Sequence, residues 1–524
     1  MNLNLAHGFY ESCVHFPDHL ALSVGNQGLS YIQLCRLVQP LAGWLRCNAR
    51  SAAPRVGILA SRSLSTYISI LGTCWAGGVY VPMSVNLPED RLTQLLGRVQ
   101  ADALVVDAES MPLLSQRVLP HCPLLILSPE LATSVVMPHR PNAKIAGRDA
   151  LPAFDPRDQP VPVKSEDLAY IIFTSGTTGI PKGVMITASA VAHFVSVMQG
   201  RYALEPSDRV AGMTETTFDI SVFDMFVTWS CGGSLHVVPS TQLMAPAGFV
   251  RDRKCTVIFT VPSVISGMRR MKMLRAGLMP TLRYSLFAGE PLPVTSAQVW
   301  KEAAHNSVVD DLFGPTEATV VCIGQRFFGP ENATPNRGVV AIGVPFPGME
   351  AAIGGSSLQF LADGEQGELL LGGPQLSSGY FREDNLTSGS FPVLGGKRWY
   401  RTGDLAYRDS AGTFHHLGRI DNQVKVRGLR VELEEVEAYL REICGTDSVA
   451  AVAWPVDHGS ANGIVAFVGG QIGMDDPDVT RRIKSRLPSY MVPSTIHRID
   501  SLPLNANGKV NRKELVALLD EGKI

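Results

Sequence analysis

No stretch of the 524 residues stays apolar for the roughly 20 residues that a membrane-spanning helix needs, so no helical span is expected. Excess positive charge is missing too. The 46 Lys and Arg stand against 48 Asp and Glu, a net charge of -2 that gives no long-range pull toward nucleic acid or anionic lipid. The nine cysteines contain no C-x-x-C pair and are odd in number, which argues against a disulfide framework or a zinc site. The first residues, MNLNLAHGFYESCVHF, lack a basic start and a continuous apolar core, so no secretory leader is expected and the cytoplasm is the expected location. Repeats at solenoid periods and low-complexity tracts are also absent.

What remains is an ordinary globular composition, 45% hydrophobic and 18% charged, on a chain too long for one core. Residues 55–125 alternate short apolar runs (RVGILA, GVYVPM, ADALVVD) with helix-like segments at 65–71 and 89–99, the pattern of a wound α/β sheet. Residues 130–165 and their near edge are proline-rich, with seven prolines from Pro129 to Pro162, and read as a surface connection between two subdomains. Short strand candidates separated by glycine turns fill 345–420, as in a small β subdomain. Beyond GRIDNQ, around Asp421, helix-like and strand-like runs form a compact α+β unit. The expected architecture is therefore α/β: a large domain over 1–420, built of two wound subdomains and a small β subdomain, then a small mobile α+β domain over 421–524.

One segment carries chemistry on its face. Thr174, Ser175, Gly176, Thr177, Thr178 and Gly179 follow a buried-strand pattern and lead to Lys182, giving close backbone approach, hydroxyl donors and one cation. That composition suits a phosphate. Gly183 stands where a P-loop needs Ser or Thr for magnesium, so a P-loop kinase or ATPase is excluded.

The stretch YIIFTSGTTGIPKGV resembles the signature of the adenylate-forming superfamily of acyl-CoA synthetases, luciferases and nonribosomal peptide adenylation domains. TCWAGGVYVPMSVNLPEDRL, TTFDISVFDMF, LFGPTEAT, GELLLGG, YRTGDLAYRD, GRIDNQVKVRGLRVELEEVE and NGKVNRKEL stand in the order seen in amino-acid adenylation domains. The resemblance covers about residues 20 to 516. It implies two half-reactions: a carboxylic acid and ATP give an acyl-adenylate and pyrophosphate, then a thiol displaces AMP.

The resemblance assigns roles residue by residue. Glu317 matches the magnesium-binding glutamate, and an oxygen ligand suits that hard cation. Lys509 matches the catalytic lysine, with Thr177 in the same catalytic set. Asp404 matches the carboxylate that accepts both ribose hydroxyls, Arg419 a neighbour of that ribose, and Asp311, Phe313, Gly314 and Thr316 the adenine and phosphate surroundings. Phe313 replaces the more usual tyrosine; it keeps the stacking face. Asp421 matches the hinge about which the small domain turns, withdrawing Lys509 and bringing residues 424–430 to the cleft, where Gly428 lets a phosphopantetheine thiol pass. A plain turn remains an alternative for Asp421.

Asp219 matches the aspartate that pairs with an amino acid's ammonium, which separates amino-acid users from fatty or aryl acid users. A helix-capping aspartate is the bland alternative, for which Asp224 looks the better candidate. Aligning by motif gives Ile220, Phe223, Phe259, Leu286, Ala288, Leu312, Val320 and Val321 as the remaining pocket. Nothing polar there could satisfy a charged or polar side chain. The set resembles that of free-standing L-proline-activating enzymes; valine, isoleucine, leucine, alanine and β-amino acids stay open. The expected partners are ATP, magnesium, a small apolar amino acid and a separate carrier protein, since no carrier-like GG-D-S-L motif and no HHxxxDG is present; the expected context is natural-product biosynthesis. An acyl-CoA synthetase is the rival reading, and Asp219 opposes it.

Overall fold

The computed structural model describes residues 2–59, 61–136, 142–176, 181–457, 460–470, 474–504 and 510–524. Local signals are obeyed where they are strong. Ser30 and Gln33 form a reciprocal capping box that starts the helix Tyr31–Asn48. The helix Glu89–Val99 opens on Glu89 and Asp90 and carries Arg98 in its last turn, in the sense that its dipole favours.

The apolar runs at 55–125 are parallel strands. Arg55–Leu59 lies between Val79–Met83 and Ala103–Val106, followed outward by Leu125–Leu127 and Lys144–Ala146, all parallel. On the other side Val79–Met83 pairs with Leu168–Thr174, which turns back antiparallel into Lys182–Thr187 and then Gly379–Tyr380, completing eight strands. The proline-rich connection therefore does not separate two subdomains: it donates Lys144–Ala146 as an edge strand, and the chain returns to the same sheet afterwards. The physical reason is the strand that follows. Leu168–Thr174 is apolar on both faces and fits only inside a sheet covered on both sides.

A second, nine-stranded sheet runs in the order Val344–Pro345, Ile323–Phe327, Val308–Phe313, Tyr284–Ala288, Val257–Thr260, Arg209–Gly212, Ser234–Val237, Leu20–Val24, Gln27–Ser30. Its far edge is the N-terminal hairpin, which turns at Gly25-Asn26. One large core joins the facing sides of both sheets, with Val56, Tyr80 and Ile172 from the first, Val210, Val257 and Leu286 from the second, and Trp75, Phe194 and Trp229 from helical segments between. The outer faces have their own cores, around Leu59, Leu104 and Val106 for the first sheet and Ile258, Phe287 and Trp300 for the second. Strand alternation is visible in this division: Val105 faces the shared core while Leu104 and Val106 face outward.

The β subdomain is present as a five-stranded antiparallel sheet built on the long strand Lys397–Arg408. The C-terminal unit carries two small sheets and the helices Leu433–Cys444, Asp476–Lys484 and Arg512–Asp520. All nine cysteines are free. Among the described residues no helix is long and apolar enough to cross a membrane.

Candidate active site

Carboxyl ends of parallel strands meet the C-terminal unit in one cleft, the place where wound α/β sheets bind ligands. Thr174 ends one such strand, Phe259 lies near the end of Val257–Thr260, Ala288 ends Tyr284–Ala288, and Asp311, Leu312 and Phe313 end Val308–Phe313. Thr177, Thr178, Gly179 and Lys509 lie outside the described residues.

Glu317 is the electrostatic centre. It sits wholly buried in the short turn Thr316–Ala318. Its Oε1 accepts from the Tyr380 hydroxyl at 2.8 Å, and its Oε2 accepts from Arg430 Nη1 at 2.9 Å. Lys182 Nζ stands 3.9 Å away. Burial pushes this carboxyl up, but the Arg430 guanidinium and then the Lys182 ammonium outweigh it and hold the pKa down to about 2. Glu317 is thus a permanent buried anion, the donor chemistry that magnesium requires, and the sequence assignment fits. Among the described residues no group of three or more His, Cys, Asp or Glu forms a metal site.

The start of the segment assigned to phosphate is described as far as Gly176. Thr174 Oγ1 is buried without a partner, Ser175 Oγ donates to the Arg430 carbonyl at 2.9 Å, and the Gly176 N–H donates to Glu435 Oε2 at 3.3 Å. Lys182 lies between Glu317 and Glu432, 4.0 Å from the latter, with its ammonium 5.1 Å from the Tyr380 ring centroid. Its own burial, then Arg430, lowers its pKa.

A second carboxylate stands at the end that the motifs assign to the nucleoside. Asp404 and Arg419 are cross-strand partners; Asp404 Oδ1 accepts from Arg419 Nη1 at 3.0 Å and lies 3.1 Å from His416 Nε2. Burial raises this carboxyl, yet His416 and Arg419 together hold it below the usual carboxylate range. The Phe313 ring lies 6.1 Å from that of His416. Arg419 also grips Asp421 with two hydrogen bonds of 2.6 Å, so the expected hinge residue is tied to the nucleoside end.

The residues that the motif alignment assigns to an amino-acid pocket come together at the strand ends. Phe223, Phe259, Leu286, Ala288, Leu312, Val320 and Val321 are buried, and Phe223 meets Phe259 edge to face at 5.3 Å. Leu286 stands in register with Phe259, and Ala288 with Leu312, which places four wall residues on neighbouring strands. Ile220 is half-buried. Asp219 precedes the helical turn Ile220–Val222, yet its side chain makes no capping bond and its Oδ2 is buried without a partner. Asp224 is not a cap either; it is buried inside the π-helical turn Phe223–Val227. Burial raises the Asp219 pKa to about 6, against the lowering effect of Thr316 and Lys425. For the free protein, kcat/KM for an amino acid should therefore fall about tenfold per pH unit below 6, because protonated Asp219 cannot pair with an ammonium. Asp219→Glu should keep an acidic limb, and a limb unchanged in Asp219→Asn would assign it elsewhere.

Several site residues were not singled out from the sequence. Gln375 is fully buried and its amide faces the carbonyls of Ala318, Thr319 and Val321 at 3.2, 3.3 and 2.9 Å. It braces a strained segment, since Thr319 and Val320 have φ of 57° and 67°, which β-branched residues rarely adopt. Tyr380, His416, Lys425, Arg430 and Glu435 complete the cleft. Lys425 interacts with both Asp404 and Asp219, and burial lowers its pKa to about 8.

Residues 9–381 match the family model described as AMP-binding enzyme. The chain belongs to that family. Within it, a linear gramicidin synthase of Brevibacillus parabrevis is 32% identical over 518 residues, 97% of this chain and 9% of its own length. The chain thus spans less than a tenth of that curated relative. Among solved structures, the Vibrio cholerae adenylation domain AlmE, in complex with glycyl-adenosine-5'-phosphate, superposes with a TM-score of 0.90 at 29% identity, covering 99% of this chain and 98% of that one. IdnL7 gives a TM-score of 0.74 at 32% identity over 100% of both chains. This AMP-binding enzyme accordingly has the α/β architecture anticipated from its motifs and is similar to the adenylation domains of nonribosomal peptide synthesis.

Proposed function

We propose that the protein activates a small apolar amino acid, L-proline fitting best, as its adenylate and passes it to the phosphopantetheine thiol of a separate carrier protein. The observation that carries this reading is the unpartnered Asp219 oxygen beside an otherwise apolar pocket. A buried acceptor without a donor costs about 1–3 kcal/mol, and a substrate ammonium removes that cost. The Phe223–Phe259 pair limits depth, which favours a compact ring over a long side chain. A pyrrolidinium keeps two N–H donors for Asp219 and presents only methylenes to the walls.

In the first half-reaction a substrate carboxylate oxygen attacks the α-phosphorus of ATP and pyrophosphate leaves with the bond's electrons. Asp404 and Arg419 hold the ribose, Phe313 and Asp311 face the base, and Thr174, Ser175, Gly176 and Lys182 serve the phosphates, a role that the motif extends to Thr177, Thr178 and Gly179. Glu317 would hold magnesium, which when bound neutralises phosphate charge. Lys509 would stabilise the negative charge growing on the α-phosphate. In the second half-reaction the thiol sulfur attacks the carbonyl, AMP departs, and the thiol proton passes to solvent.

A non-hydrolysable prolyl-sulfamoyl adenosine should raise the melting temperature, since a ligand at 100 times its Kd adds about 2.7 kcal/mol of stability. The cyclopentanecarbonyl analogue, which lacks the amine, should shift it far less. Equal shifts would move the protein to the acyl-CoA synthetase reading.

A further inference from the structure

Behind the apolar residues assigned to the pocket lies a buried charge. Alternate residues of a strand share a face, so Asp310 stands on the face of the wall residue Leu312, and Tyr284 on that of Leu286. Asp310 is also the register partner of Leu286. Its carboxylate is fully buried, one layer further from the strand ends than the walls, and three neighbours satisfy it. Oδ2 accepts from Arg201 Nη2 and Nε at 2.7 and 3.0 Å and from the Tyr202 hydroxyl at 3.0 Å, and Oδ1 accepts from Arg326 at 3.3 Å. The Tyr202 hydroxyl accepts in turn from Arg201 Nε at 3.2 Å. Donating and accepting at once, it fixes the buried ring that ends the helix Ala188–Tyr202. That ring packs on the pocket. Phe223 meets Phe259 at 5.3 Å and Tyr202 at 6.2 Å, and Tyr202 meets Tyr284 at 5.1 Å, all edge to face. Two of these four rings are pocket walls, and Tyr202 ties them to the Asp310 network.

We propose that Tyr202 is a positioning residue that sets the specificity of the pocket from behind: anchored to Asp310 and Arg201, it holds the Phe223 ring in place and so keeps the pocket shallow. The inference rests on the pocket reading above. Interiors are close-packed, so the Phe223 ring can turn aside only if a neighbour yields. Phe259 is held by apolar contacts alone. Tyr202 resists more, because moving it strips a donor from a buried carboxylate. A larger substrate side chain would have to displace Phe223 and, behind it, Tyr202 with its charged anchor, whereas a compact one displaces neither. A tyrosine kept only for core packing would cost stability when replaced and leave the order of substrates unchanged.

ATP–pyrophosphate exchange by the full chain, with L-proline, L-leucine and L-phenylalanine in turn, tests this role. Tyr202→Leu removes the ring and its hydroxyl. It should raise kcat/KM for L-phenylalanine relative to L-proline at least about tenfold, the scale on which apolar pockets discriminate by size. The change should lie in KM for the amino acid, with KM for ATP unmoved. Tyr202→Phe, which keeps the ring, should restore most of the wild-type preference. If Tyr202→Leu does not fold, Tyr202→Met, which fills the space with a flexible chain, carries the same expectation. An unchanged ratio in a folded variant overturns the proposal, and so does an equal loss for all three acids, which marks a residue of the fold alone. A wild-type protein that exchanges pyrophosphate with no amino acid would sink the substrate reading. The order of small and large acids that it does activate, compared between wild type and Tyr202→Leu, would still decide the role of Tyr202.

Discussion

Asp219→Asn should lower kcat/KM for the amino acid by at least about 100-fold while leaving ATP binding close to unchanged. The magnitude follows from the loss of a charge-assisted pair inside a water-poor site, where such a pair contributes about 2–5 kcal/mol. Asparagine keeps the shape and one acceptor, so the substitution removes charge rather than volume. The wild-type carboxyl already tolerates burial with Oδ2 unpartnered, and its pKa of about 6 leaves it mostly ionised at neutral pH. The free variant should consequently be about as stable as the wild type, since the buried carboxylate oxygen it replaces has no hydrogen-bond partner to lose. Activity loss without stability loss, measured by calorimetry beside steady-state kinetics, is the signature of a residue kept for a ligand.

Gly428→Val should separate the two half-reactions. Gly428 has φ of +80° and its missing Cβ would come within 2.6 Å of Val261. A left-handed backbone costs a substituted residue about 1–2 kcal/mol, and the clash with Val261 adds to it. The clash falls on the docked C-terminal unit alone, whereas the backbone cost belongs to the hairpin turn and is common to every position of the unit. Transfer of a preformed aminoacyl-adenylate to pantetheine should fall at least about 100-fold, a barrier increase near 2.7 kcal/mol. If the unit turns about Asp421 between the two steps, as the motif resemblance implies, adenylate formation should fall far less. Equal losses in both steps would show that Gly428 serves the fold and not the transfer.

Much of the cleft was legible because it is carried by short contiguous segments. Asp404 and Arg419 lie in different motifs, yet the strands holding them are neighbours in the chain and pair directly. Pocket walls such as Phe259 and Leu286 come from successive parallel strands in register, so motif spacing predicts their meeting. What escaped depends on long-range docking. Gln375 looks like one more residue after GELLLGG until the fold brings it beneath the Thr319–Val320 turn, whose strain no composition reveals. Arg430 and Glu435 were inside a quoted motif, but their partners Glu317 and Gly176 are more than 100 residues away and meet them only through the docking of the C-terminal unit. The proline-rich stretch misled for a related reason. Proline marks loops well, but whether the chain then enters a new sheet is decided by the strand that follows, here Leu168–Thr174.

Amino-acid-dependent ATP–pyrophosphate exchange tests the central claim most directly. With each of the proteinogenic amino acids in turn, L-proline should support the fastest exchange, small apolar amino acids a slower one, and charged amino acids no more than buffer. Exchange driven by an aryl or fatty acid, with no amino acid above background, would contradict the assignment of Asp219 and with it the proposed function.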